Sequence, residues 1–226
     1  DTLYGDKRVQ MAFRVQPGGR RLSCRFARFL GEVALELELT LAQPPMDSMV
    51  IATPFDAPRA FYYNQKINCM PASGVMTLGS RRFEFAPETS FGTLDWGRGV
   101  WTYDNTWYWG NGNGIVNGKP FGFNIGYGFG NTSAASENLL LYGGVAHKLS
   151  RVQFNISEES FLKPWTFSSE DGRFEMDFVP VIDRAARTNA LIIESDQHQV
   201  FGRFTGRAVL DDGTALELKD FLGFAE

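Results

Sequence analysis

Cysteine and histidine are both scarce in this sequence. Its 226 residues include 2 Cys and 2 His. Cys24 and Cys69 show no disulfide framework and no metal-ligand spacing, so we expect both to be reduced packing residues. With only His147 and His198 present, a histidine-rich metal site is also disfavoured. We therefore expect a protein without a bound metal ion.

Basic clusters and long apolar runs are absent too. The formal net charge is −4 at pH 7 and no run of Lys and Arg occurs, which argues against binding of nucleic acid. No apolar stretch approaches the roughly 20 residues that a helix needs to cross a bilayer, so we expect no transmembrane segment and favour a cytoplasmic location. The chain opens at Asp1 without an initiator Met, which favours a fragment or a processed product.

What the sequence does contain is alternation of apolar and polar residues. Every second residue is apolar across 9–15, 33–41 and 174–178. The run at 33–41 is rich in helix formers, yet its leucines alternate, so a strand is predicted there as well. Turn signals such as Asn117-Gly118 recur at short intervals between these runs. Short antiparallel strands with tight turns predict an all-β barrel or sandwich.

The organisation of the chain is otherwise simple. One or two helical turns are predicted near Ser157, which can cap a helix that Pro164 would end. A proline-rich stretch precedes a loose division near residue 90. We therefore expect two β domains, residues 1–90 and residues 91–226.

An aromatic and glycine-rich segment, DWGRGVWTYDNTWYWGNGNG, occupies residues 95–114. It holds four of the five tryptophans beside five glycines. Asn117-Gly118 follows, and this pair between alternating runs is the strongest short-range signal for a two-residue hairpin turn. The turn fixes a register in which Trp109 lies opposite Gly126, and Asn111 opposite Asn124, so rings lie over bare backbone.

The two faces of this hairpin are predicted to differ in role. The face with Trp107, Trp109, Asn111 and Asn124 sets amide groups into an aromatic wall, which favours a cavity. The alternative is that these rings are core and that the asparagines bond each other or the backbone. A phosphate-binding loop at 110–114 is rejected, because no helix follows the glycines.

Candidates for acid–base chemistry are few. They are three acids, Asp95, Asp104 and Glu137, and one histidine, His198. Asp196 and His198 share one face of a strand and could orient an imidazole, but a surface ion pair is the simpler interpretation. A carboxylic acid desolvated by tryptophan could instead protonate an alkene or enol.

Several motifs resemble a known family over most of the chain. Those motifs are FGTLDWGRGVW, NTWYWGNGNGIVNGKPFGFNIGYGFG, KPWTFSSEDGRFEMDFVPVIDR and SDQHQVFGRFTGRAVLDDGTALELKDFLGFAE. They are similar to domain-of-unknown-function family 2804, of which the chain looks like the C-terminal two-thirds. More distantly, the sequence resembles the second half of the AttH and hydroxyneurosporene-synthase superfamily, and tocopherol cyclase and some fungal Diels-Alderases look similar in fold. The residues that carry this second resemblance are Asp95, Trp107, Trp109, Gly118, Gly202, Gly206, Glu217 and Gly223.

The resemblance implies two lipocalin-like antiparallel β-barrels, the first lacking its opening strands. It further implies an apolar ligand and no cofactor. The barrel that lacks strands would expose an open sheet edge, at which a homodimer is expected.

Three functions remain open from the sequence. The first is a protein that binds a hydrophobic isoprenoid, lipid or polyketide-like molecule and isomerises, cyclises or hydrates it, with Asp95 supplying the proton and Asp104 or Glu137 as substitutes. The second is a non-catalytic carrier, and the third is a carbohydrate-binding β-sandwich. The residues expected to contact the ligand are Trp96, Trp101, Trp107, Trp109, Asn111, Asn124 and Tyr127.

Overall fold

Strands make up nearly all the regular structure of this chain. The computed structural model describes residues 1–190 and 193–226, which form two antiparallel sheets, one of them strongly curled, and no helix. The all-β class predicted from the sequence is therefore confirmed. Within those same ranges, no helix is long and apolar enough to cross a membrane.

The strands are numbered in chain order. The first eight are β1 (Thr2–Gly5), β2 (Val9–Gln16), β3 (Gly19–Leu30), β4 (Val33–Ala42), β5 (Met49–Pro54), β6 (Phe61–Leu78), β7 (Arg81–Phe85) and β8 (Phe91–Val100). The others are β9 (Tyr108–Val116), β10 (Lys119–Tyr127), β11 (Leu139–Tyr142), β12 (Val145–Lys148), β13 (Val152–Asn155), β14 (Trp165–Ser169), β15 (Phe174–Ala190), β16 (Ile193–Val209) and β17 (Ala215–Ala225).

Alternation proves a better guide than helix propensity. The leucine-rich run at 33–41 is a strand, β4, which pairs with β3 on one side and with β6 on the other. The helix predicted after Ser157 is wrong. There the hydroxyl oxygens of Ser157 and Ser160 accept hydrogen bonds from the backbone N–H groups of Glu159 and Leu162, so local turns replace helical hydrogen bonds.

Contacts divide the chain into two compact units. The first comprises residues 1–45 and 69–93, and the second comprises residues 46–68 and 94–226. In the first unit, β1, β2, β3, β4 and the later part of β6 pair in that order, and β7 also pairs with β6. The division after residue 90, expected from the sequence, stays a prediction about independently folding domains.

The second unit contains a sheet whose strand order follows the sequence as an almost closed cycle. Across the described residues its nine strands are ordered β12-β11-β10-β9-β17-β16-β15-β14-β13. Consecutive strands therefore pair throughout, the last strand pairs with the first, and the cycle is open only between β12 and β13. This is the connectivity of an up-and-down barrel with one unpaired seam. The same unit includes β5 and the part of β6 that pairs with it.

Apolar side chains pack together on the concave side of this curved sheet. The Phe123 ring on β10 packs against Phe174 on β15 and Phe204 on β16, with ring centroids 5.2 and 4.9 Å apart. Strand β10 is a neighbour of neither β15 nor β16 in the sheet, so the sheet must curve around the core that these strands share. The interior of the curve is therefore packed core, to which Trp165, Phe167 and other buried residues also belong.

The β9–β10 hairpin has the predicted register. Trp109 pairs with Gly126 and Asn111 with Asn124. Asn117 and Gly118 both have positive φ, 49° and 75°, as a type I′ turn requires. A Cβ atom on Gly112 would lie 2.5 Å from Cε1 of Phe123, so only glycine lets that ring lie against the facing strand.

Candidate functional site

A cavity of about 330 Å³ lies within the second unit. Among the described residues, seven aromatic side chains and four charged side chains line it, together with one asparagine. They are Tyr62, Asn64, Lys66, Asp95, Trp101, Trp107, Tyr108, Trp109, Tyr127, Phe129, Glu137 and Glu226. The cavity therefore combines a large aromatic surface with a strongly polar region.

Strand alternation accounts for one wall of the cavity. On β6, Tyr62, Asn64 and Lys66 lie two residues apart and so face the same side. On the β9–β10 hairpin, Trp109 lies on the face opposite to Phe123 and Ile125, which enter the core. The same alternation that fills the core thus directs a second set of residues into the cavity.

A buried lysine forms the polar region. The Lys66 side chain is only 5% exposed, and its Nζ lies 3.3 Å from Oδ1 of Asp95 and 3.5 Å from Oε2 of Glu137. The same ammonium lies 3.6 Å from the centroid of the Trp109 ring, which is the geometry of a cation–π contact. One buried cation is therefore held by one indole and two carboxylates that are themselves partly exposed to water.

Amide side chains extend this polar region. Oδ1 of Asn124 accepts a 2.7 Å hydrogen bond from Nε1 of Trp109, and Nδ2 of Asn124 donates to Oε2 of Glu137 at 3.1 Å. Asn111 donates to Asn124 at 3.4 Å. Asn64 is buried, and its Oδ1 has no hydrogen-bond donor in the described parts of the chain. Most of the polar groups are thus satisfied, but one acceptor on the cavity wall is not.

A second group of rings makes the apolar part of the cavity. Phe129 lies 4.9 Å from Tyr62, 6.0 Å from Trp101 and 6.2 Å from Trp107, measured between ring centroids. Nε1 of Trp107 donates a 2.8 Å hydrogen bond to Oε1 of Glu226. These rings meet edge to face or tilted, which are arrangements that aromatic pairs prefer.

The phenol of Tyr62 provides a test of the electrostatics. Burial raises the pKa of Tyr62, and the negative charges of Asp95 and Glu137 raise this pKa further. The folded state therefore holds the phenolic proton more tightly than the unfolded state. Stability should then fall as the pH rises through the ordinary tyrosine pKa of about 10.

We expect Tyr62→Phe to make this alkaline loss of stability smaller. The measurement is the free energy of unfolding in urea, taken at several values between pH 7 and about pH 11. Tyr103→Phe is the matched control, because Tyr103 is 78% exposed and lies outside the cavity lining. The same pH dependence in wild type and Tyr62→Phe would contradict the expectation.

Of the four residues proposed for catalysis, Asp95 and Glu137 come together. Both line the cavity and both contact Lys66. Asp104 lies in an exposed bend after β8, and its backbone oxygen accepts a hydrogen bond from Thr102. Neither Asp104 nor His198 is part of the lining given by the described residues.

His198 belongs to a separate cluster. Its Nδ1 lies 2.7 Å from Oδ2 of Asp183, and its Nε2 lies 3.6 Å from Oδ1 of Asp196. The imidazole also stacks on the Phe161 ring at 4.1 Å. Asp183, which the sequence analysis did not single out, is thus its nearer acidic partner.

The residues expected to contact a ligand divide in a similar way. Trp101, Trp107, Trp109 and Tyr127 line the cavity. Asn111 and Asn124 are fully buried behind this surface and take part in its hydrogen-bond network. Trp96 is 45% exposed and packs against Tyr63 instead.

The cavity residues on β6 were not predicted from the sequence. In FYYNQKINCM, side chains with a polar group recur at every second position, at Tyr62, Asn64, Lys66 and Asn68. A lysine among alternating amides and large apolar residues is the signal that could have identified a buried polar face. Phe129 and Glu226 carried no comparable local pattern.

In the described ranges, no group of three or more His, Cys, Asp or Glu side chains is placed to hold a metal ion. The model of a family described as Domain of unknown function (DUF2804) matches residues 1–226, the whole chain. The chain belongs to the DUF2804 family. No curated protein matches this DUF2804 chain. The description of the DUF2804 family specifies no reaction and no ligand. A function for this chain must therefore be inferred from the residues that line the cavity.

Proposed function

We propose that this protein binds an apolar small molecule, such as an isoprenoid, a lipid or a polyketide, in the aromatic cavity of the second unit. The observation that carries the proposal is the lining of seven aromatic side chains around about 330 Å³. Ligand sites of soluble proteins typically enclose roughly 300–1,000 Å³ and combine apolar walls with a few fixed polar groups. The cavity has both properties.

We further infer that the second unit is lipocalin-like and distantly related to the AttH and hydroxyneurosporene-synthase superfamily. The support is the cyclic strand order, in which β17 pairs with β9. In this protein the inside of the curved sheet is filled by aromatic core, so the proposed ligand lies outside that core, in a cavity to which Trp109 contributes from the other face of the β9–β10 hairpin. The rings of that inner core thus stabilise the fold, and the ligand would contact only the residues that line the cavity.

The ion pairs bear on the choice between a carrier and an enzyme. Oδ1 of Asp95 and Oε2 of Glu137 both lie within 3.5 Å of Nζ of Lys66. A carboxylate paired with an ammonium has no proton to donate, so acid catalysis from Asp95 would require this carboxylate to take up a proton before each reaction. This geometry favours the carrier, and an isomerase, cyclase or hydratase without a cofactor is the second candidate. The carrier predicts that Asp95→Asn leaves the affinity for the ligand unchanged and that the wild-type protein returns its ligand chemically unaltered.

Two exposed tryptophans allow a direct test of the cavity. Trp101 lines the cavity and is 51% exposed, whereas Trp96 is 45% exposed and packs against Tyr63. We expect Trp101→Ala to weaken binding of naphthalenemethanol by about tenfold, because the probe loses an aromatic contact. Trp96→Ala should leave the affinity unchanged. Isothermal titration calorimetry measures both affinities, and thermal unfolding checks that the two variants are equally folded.

Two outcomes of this titration would contradict the proposal. The first is an absence of detectable binding to the wild-type chain. The second is an equal loss of affinity in Trp96→Ala and Trp101→Ala, since that would place the binding outside the cavity. A sugar-binding surface would then gain support, because both indoles are accessible for stacking on a sugar ring.

The homodimer expected from the sequence is a separate proposal. It is supported by the position of β1 at the edge of its sheet and by the exposed side chains of Leu3 and Tyr4 on that strand. Sedimentation velocity over a range of concentrations tests it, and a constant monomer mass would reject it.

A further inference from the structure

The charges that line the cavity do not balance. Among the described lining residues there are three carboxylates, those of Asp95, Glu137 and Glu226, and one ammonium, that of Lys66. Lys66 pairs with Asp95 and Glu137. Glu226 instead accepts hydrogen bonds from two neutral donors, Nε1 of Trp107 at 2.8 Å and Nε2 of Gln199 at 3.1 Å. A net negative charge is therefore left on the cavity wall.

The aromatic lining favours the same sign of charge in a ligand. The faces of aromatic rings carry negative electrostatic potential and attract cations, most strongly for tryptophan. Trp109 already holds a cation, because Nζ of Lys66 lies 3.6 Å from its ring centroid. Trp101 and Trp107 line the cavity without such a partner among the cation–π contacts of the described residues.

One buried acceptor also lacks a donor. Asn64 is 1% exposed and lines the cavity, and its Oδ1 has no hydrogen-bond partner among the residues that the structure describes. A buried acceptor without a donor is unfavourable, and an N–H group of a ligand could supply that donor. A protonated amine offers such a donor, whereas a carboxylate does not.

We propose that the ligand is an organic cation, namely a protonated amine with at least one N–H group on an apolar, ring-sized body. This inference rests on the proposed function, because it specifies the ligand of the same cavity. Its charge faces Glu226 and the tryptophan rings, and its N–H group bonds Oδ1 of Asn64. An anionic ligand is disfavoured, because two carboxylates already neutralise Lys66.

A set of probes with one apolar body and different charges tests the inference. The probes are naphthylmethylamine, which is positively charged at pH 7, neutral naphthalenemethanol and anionic naphthoate. In calorimetric titrations of the full chain, we expect the amine to bind at least about tenfold more tightly than the alcohol, and naphthoate to bind most weakly. The preference for the amine should decrease at high salt, because ions screen the charge of Glu226.

Substitutions assign the preference to one carboxylate. Glu226→Gln should reduce the preference for the amine over the alcohol, which is the ratio of the two affinities, by at least about threefold. Glu217→Gln removes the same charge from an exposed position on β17, outside the cavity, and should change neither affinity. A trimethylammonium analogue keeps the charge but has no N–H group, so we expect it to bind more weakly than the primary amine.

The outcomes separate this inference from the proposed function. If the alcohol binds as tightly as the amine, the cavity remains a ligand site and the inference of a cation is wrong. Equal binding of the amine and the trimethylammonium probe would overturn the role of Asn64. If none of the probes binds, the proposed function itself fails, and the inference fails with it.

Discussion

Lys66→Met is expected to lower the free energy of unfolding by about 1–3 kcal/mol, because it leaves two partly exposed carboxylates without the ammonium that pairs with them. Two carboxylates face the lost ammonium, Asp95 at 3.3 Å and Glu137 at 3.5 Å. Most of the loss should come from Glu137, which is the more buried of the two. Urea denaturation at neutral pH measures the change.

A combined variant distinguishes charge from packing. In Lys66→Met with Asp95→Asn and Glu137→Gln, no uncompensated charge remains, although the shape of the cavity wall is nearly the same. We expect this triple variant to recover at least half of the stability that Lys66→Met loses. A triple variant as unstable as the single one would show that Lys66 matters for its packing against Trp109 and not for its charge.

Phe204→Ala is expected to cost about 3–5 kcal/mol, which is typical of removing a fully buried ring. Phe204 is completely buried, and its ring packs against Phe123, Phe167 and Phe178 with centroids between 4.5 and 5.3 Å away. These rings come from β10, β14 and β15, so the substitution would leave a hole where the walls of the curved sheet meet. Chemical denaturation checks the size of the loss.

Phe201 on the same strand provides the matched control. It is half-buried, lies outside the core cluster, and packs against Phe224 with ring centroids 5.6 Å apart. We expect Phe201→Ala to cost less than about 2 kcal/mol, because much of its surface is already in contact with water. Similar losses at positions 201 and 204 would contradict the assignment of the core to the inside of the curved sheet.

The sequence predicted those features that depend on near neighbours. The register of the β9–β10 hairpin followed from Asn117-Gly118, because a two-residue turn leaves only one way to pair the flanking residues. Apolar alternation in turn predicted β2, β4 and the start of β15. Local pattern failed after Ser157, where serine hydroxyl groups bond the backbone and no helix forms.

The features that were missed depend on residues far apart in sequence. Lys66 meets Glu137, and Trp107 meets Glu226, through pairings that no local pattern specifies. Asp95 was selected from a motif, but the cation beside it lies on another strand. The sequence therefore predicted an aromatic wall and two acids beside it, Asp95 and Glu137. Their ion pairs with Lys66 could be identified only from the tertiary structure.

The pairing of β17 with β9 has a consequence for biosynthesis. Gly112 on β9 pairs with Gly223 on β17. The hydrogen bonds on this edge of β9 can therefore form only after β17 has been synthesised. Contacts of such high sequence separation slow folding, because a long loop must close first. During translation, β9 emerges from the ribosome with one edge unpaired, and that edge is open to pairing with other chains until β17 is released. We therefore expect the nascent protein to depend on chaperones until β17 has emerged and paired with β9.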